Sequence, residues 1–117
     1  MLVWLLTDES RVKAETREVL RNPEQDVVVS AVSPWEIEIK RATGKLEAPH
    51  DLPERLHELG FAPLSITVEH GVAAGILPLY HRDPFDRMLI AQAQLEGLTI
   101  VTRDPRFDPY GVALLPA

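Results

Sequence analysis

Asp83-Pro84-Phe85-Asp86-Arg87-Met88-Leu89-Ile90-Ala91-Gln92-Ala93, closed by Gly97 and followed at once by Leu98-Thr99-Ile100-Val101-Thr102, decides the fold class. An aspartate as cap, a proline at the first helical position and an acid three residues after the cap open a helix. Its apolar body ends at a glycine suited to the left-handed position that closes helices. The β-branched run that follows is the clearest strand in the chain. A capped helix feeding a buried strand is half of a βαβ unit.

The same alternation extends in both directions. Upstream, Ser10–Leu20 has helical spacing in Val12, Thr16, Val19 and Leu20, and stops before Pro23. Asp26–Ser30 reads as a short buried strand. Ser33-Pro34-Trp35-Glu36 repeats the serine, proline and acid pattern and opens a helix that ends near Gly44. Asp51–Leu59 is a second amphipathic helix closed by Gly60, Phe61–Ile66 a strand, and Thr67–Gly75 a further helix. Leu2–Leu6 reads as the remnant of a short helix at the front. Past Asp104-Pro105, a turn leads to a last strand at Val112–Leu115. Strands alternating with helices predict a single α/β domain over 1–117, three layers deep, with a mostly parallel central sheet.

Composition bounds the function classes. The chain of 117 residues is 45% hydrophobic and 26% charged, ordinary for a soluble domain that buries its own core. It has no cysteine, which excludes disulfides, thiolate metal sites and cysteine nucleophiles and suits a reducing cytoplasm. Met1–Leu6 is apolar but lacks a basic leader and meets Thr7, Asp8 and Glu9 too early for a signal peptide or membrane span. The expectation is a cytoplasmic protein. A net charge of -6 argues against a passive nucleic-acid-binding module, whose affinity rests on basic groups. It does not argue against an enzyme whose carboxylates hold cations. Lys40, Arg41, Lys45, Arg82, Arg87, Arg103 and Arg106, seven of the twelve basic residues, lie close in sequence to the acids considered next.

In open parallel sheets, sites form beyond the carboxyl ends of the strands. Glu36 falls in the first turn of the helix after one strand, Asp104 lies just past the end of another, and Asp86 opens the helix leading into it. Three carboxylates in one cleft repel unless a cation neutralises them, and an oxygen-only set without sulfur or histidine suits Mg2+ or Mn2+. Taken singly, each acid favours a structural reading. Glu36 completes a capping box with Ser33, Asp86 does the same with Asp83, and Asp104-Pro105 opens a turn. His81 reads as a surface residue and Trp35 as core or interface.

The longer stretches carry more. Val32-Ser33-Pro34-Trp35-Glu36-Ile37-Glu38-Ile39-Lys40 with Gly44-Lys45-Leu46, then His81–Ala93, then Leu98–Asp104, resemble in order the second, third and fourth acidic motifs of VapC-type toxins of the PIN-domain family. The resemblance runs from about Leu2 to the carboxyl end. It implies a PIN fold and a Mg2+- or Mn2+-dependent endoribonuclease of a toxin–antitoxin pair, blocked by a small antitoxin protein and assembled as a homodimer. By position, Glu36, Asp86 and Asp104 match three of the family's four acids, with Asp83, Thr102 and Lys40 as supporting residues. Family members usually begin with an apolar strand ending in Asp-Thr-His, and the sequence starts where the following helix is already under way. The first strand and first aspartate are therefore expected to be missing from this sequence. Two functions compete on this reading: a ribonuclease, and a truncated, weak or inactive PIN-like protein that binds an antitoxin. A phosphatase or nucleotide-binding domain lacks support, since no Gly-rich phosphate loop is present.

Overall fold

Ser30, at the end of the first described strand, sets the start of the helix that carries Glu36. The structure, a computed structural model, describes residues 14–22, 27–45, 50–102 and 104–116. The helix expected at Leu2–Leu6 and the side chain of Arg103 lie outside them. The chain divides into two compact units that meet in sequence between Leu64 and Ser65.

In the first unit, α1 (Ala14–Arg21) buries Thr16 and Leu20, one turn apart. Strand β1 (Val28–Ser30) pairs in parallel with β2 (Ala62–Leu64), matching Val29 with Pro63. Pro63 has no N–H, and the bonds from Ala62 N to Val27 O (3.0 Å) and from Ala31 N to Leu64 O (2.9 Å) fall on either side of it. Helix α2 (Val32–Ala42) follows directly, and its N-cap is Ala31 rather than Ser33. The Val32 amide donates to Ser30 Oγ at 3.2 Å. The expected Ser33–Glu36 capping box does not form, and Pro34 sits inside the first turn, where a missing N–H costs nothing. Glu36 consequently lies beyond the first turn. Helix α3 (Leu52–Glu58) buries Leu52, and Gly60 after it takes φ +77°, the left-handed region.

The second unit begins with α4 (Val68–Ile76). Thr67 caps it in a reciprocal box: its hydroxyl accepts from His70 N, and its own N–H donates to His70 Nδ1 at 3.0 Å. Buried His70 also meets Glu96 across the unit, Nε2 to Oε1 at 2.9 Å. Helix α5 (Pro84–Glu96) starts as the sequence predicts, with Asp83 as cap and Pro84 first, and it ends at Gly97 with φ +67°. Ile90, Ala91 and Ala93 of α5 and Ala74 of α4 are buried, and the two helices pack together. Strand β3 (Ile100–Val101) pairs in parallel with β4 (Leu114–Leu115), Ile100 opposite Leu114. A parallel pair needs a crossover of about a dozen residues; here a 3-10 helix, Pro105–Tyr110, supplies it where the sequence suggests only a turn.

The fold is α/β, with helices alternating with strands that pair in parallel, as the sequence predicts. Among the described residues the strands form two pairs, one in each unit. Trp35 is 59% exposed and so is not a core residue of this chain.

Candidate metal centre

The loop between α4 and α5 is built around one cation. Arg87, in the first turns of α5, is buried, and its guanidinium donates to five carbonyls. Nη1 reaches Pro78 O (3.0 Å) and His81 O (3.1 Å), while Nη2 reaches Ala74 O (2.9 Å), Leu77 O (2.8 Å) and Gly75 O (3.4 Å). Ala74 and Gly75 lie in the last turn of α4, whose carbonyls have no partner within the helix and carry the negative end of its dipole. The planar five-donor fork suits this task. Arg87, close to the acids in sequence, thus belongs to the fold and not to a basic surface around them.

With its carbonyl fixed by Arg87, His81 is also held by its amide, which donates to the Tyr110 hydroxyl at 2.9 Å. Its ring is buried and meets Phe107 edge to face at 5.9 Å between centroids. The ring Nε2 lies 2.7 Å from Asp86 Oδ2. The surface position expected for His81 is therefore wrong. Arg87, six residues on, and Phe107 and Tyr110, far along the chain, enclose it. Asp83 caps α5 by accepting from the amides of Phe85 (2.8 Å) and Asp86 (3.1 Å) through Oδ1. This leaves Asp86 in the first turn with its Oδ2 turned to His81 rather than back to the cap.

Asp104 follows β3 and caps the 3-10 helix, accepting from Arg106 N at 2.9 Å. Its own amide donates to Thr102 Oγ1 at 3.1 Å, so Thr102 steers the backbone at the point where the acid leaves the strand. The Arg106 side chain binds both carboxylate oxygens, with Nη2 to Oδ2 at 2.6 Å and Nε to Oδ1 at 3.0 Å. This contact, offset in part by desolvation, lowers the Asp104 pKa to about 2.

One ligand atom each from His81, Asp86 and Asp104 lies within 4.8 Å of the others. Neighbouring oxygens around a Mg2+ ion with bonds near 2.1 Å lie roughly 3 Å apart, and opposite ones about 4.2 Å apart. The cluster is gathered to that scale, and its two carboxylates fit a hard divalent cation. A buried histidine stands beside the two acids of a set that the sequence reads as oxygen-only, with its Nε2 on Asp86. A clue to His81 exists in the sequence, since it stands five residues before Asp86 in the same motif.

Glu36 belongs to the first unit, on α2, where its Oε2 pairs with Lys40 Nζ at 3.0 Å. Arg41 in turn meets Glu38 at 2.7 Å. Several of the basic residues near the acids are thus engaged with acids of their own element or turn.

Residues 1–112 match the PIN domain family, and the chain belongs to it. Over 60 residues it is 35% identical to Ribonuclease VapC16 of Mycobacterium tuberculosis (strain ATCC 25618 / H37Rv), a stretch covering 48% of this chain and 43% of that protein. The aligned part thus spans less than half of that relative's length.

Proposed function

We propose that this protein is a metal-dependent endoribonuclease of the VapC toxin type, acting on RNA and paired with a small antitoxin protein. The observation that carries the proposal is the gathering of Asp86 and Asp104 beside His81, on a PIN-family chain, at the end of β3 and the start of α5. The likeness to a VapC ribonuclease supports the choice of RNA as substrate. Both units are read as parts of one PIN domain, since the family match runs across the boundary between them.

Asp86 and Asp104 would hold Mg2+ or Mn2+, and Glu36 is assigned a third carboxylate role from its place in the matching motif. The cation, when bound, supplies an activated water and stabilises the charge that develops on a phosphodiester. The chain's own residues prepare the ligands: Asp83 fixes the first turn of α5, Thr102 steers Asp104, and Lys40 balances Glu36. Homodimerisation and a cytoplasmic setting complete the reading. No helix among the described residues is long and apolar enough to cross a membrane, in keeping with that setting.

The test is RNA cleavage with and without Mn2+. The wild type is expected to cut only with the metal, and Asp86→Asn and Asp104→Asn each to lose at least 10- to 100-fold, the range known even for outer-shell changes at metal sites. Mn2+ binding and antitoxin binding without any cleavage would instead establish a non-catalytic partner protein. Cleavage that survives both substitutions would place the chemistry elsewhere.

A further inference from the structure

His81 stands within ligand distance of the two acids, yet its hydrogen bonds direct it to a different task. The Asp83 amide N–H donates to His81 Nδ1 at 3.4 Å. A backbone N–H is always a donor, so Nδ1 must carry its lone pair there. In a neutral imidazole the proton then sits on Nε2, and Nε2–H donates to Asp86 Oδ2 at 2.7 Å. For Nε2 to offer a lone pair to a cation, the proton would have to move to Nδ1. Two donors would then face each other inside a ring pocket whose side chain is 2% exposed. An imidazolium meets the same obstacle at Nδ1. The bond to Asp83 is long and weak, but the alternative is repulsive, and the sign decides.

We infer that His81 is a positioning residue: it donates to Asp86 and sets the direction of that carboxylate toward a bound cation, and it is not itself a ligand. The inference rests on the metal-site reading above. Four contacts already described hold the donor in place: Arg87 on the carbonyl, Tyr110 on the amide, Phe107 at the ring edge and Asp83 on Nδ1. A carboxylate ligand held by such a neighbour loses orientational freedom before the cation arrives, which is how outer-shell partners raise affinity.

The experiment uses the whole protein with Mn2+ as the probe. Long-range 1H–15N spectra of the metal-free, 15N-histidine-labelled protein are expected to show His81 as the Nε2–H tautomer. Pulsed electron paramagnetic resonance of the Mn2+-loaded protein is expected to show no directly coordinated 14N. The amide of glutamine reaches the Nε2 position and that of asparagine reaches Nδ1. His81→Gln should therefore keep Mn2+ affinity to about threefold while His81→Asn loses about 10-fold or more. An Nδ1–H tautomer overturns the inference, as does a strong 14N coupling that vanishes in His81→Gln. Equal affinities in wild type and both variants remove the positioning role while leaving the metal site intact. A wild type that takes up no Mn2+ overturns the metal-site reading and the positioning role with it.

Discussion

Arg106 grips Asp104 by both carboxylate oxygens, closing to 2.6 Å at Oδ2. The acid at the end of β3 is therefore neutralised by a side chain from its own turn, in the place where a bound cation would compete.

Arg106→Gln is expected to release Asp104 in two measurable ways. Its pKa, about 2 beside the guanidinium, should climb toward the ordinary aspartate value of roughly 3.9, as followed by carboxyl 13C shifts. A folded pKa below the unfolded one stabilises the fold above about pH 4, and that contribution is lost as pH falls toward 2; the variant should lack this acid dependence. Mn2+ should also bind several-fold more tightly, because a competing cation is gone. Unchanged titration and weaker Mn2+ binding would show that Arg106 supports the site instead.

Arg87→Met should unfold the protein more readily by about 3 kcal/mol or more, since buried carbonyls lose charged donors that no apolar side chain replaces. The urea midpoint reads the effect. Arg87→Lys should recover only part of it, because one ammonium cannot span carbonyls on both sides of the loop. A wild-type midpoint in Arg87→Met would mean that water satisfies these carbonyls.

Glu36→Gln separates chemistry from stability. The Glu36–Lys40 pair is one helical turn apart with Lys40 about half exposed, and such pairs contribute about 0.2–0.5 kcal/mol. Urea unfolding should hardly move, whereas metal-dependent cleavage should fall by about 10- to 100-fold or more. Full activity in this variant would remove Glu36 from the catalytic set.

The elements that sequence reading identified are those whose causes are local. Asp83, Pro84 and Gly97 bracket α5 because a cap, a fixed φ and a left-handed close act within a few residues of themselves. The same grammar misplaced α2. Ser33-Pro34 looks like a start, but Ser30 at the end of β1 accepts from Val32 N and begins the helix earlier. His81 was illegible for the opposite reason. Its burial depends on Phe107 and Tyr110, which follow β3, and on Arg87, whose role is set by the open carbonyls of α4. Asp86 and Asp104 are separated by a helix and a strand, so the sequence names one as an acid opening a helix and the other as an acid past a strand end, while the fold brings them to one scale.

Ionic strength should part Arg87 and Arg106, two arginines of this unit. Arg106 is 62% exposed and holds Asp104 as an ion pair at the surface, where counterions at physiological salt screen charges over about 8 Å. Arg87 is buried, and its five acceptors are neutral carbonyl dipoles, buried or partly buried, whose hold added salt screens much less. Added salt therefore loosens the grip on Asp104 while the loop that carries His81 keeps its shape. A halide-rich buffer would relax one acid of the centre and leave its scaffold unmoved.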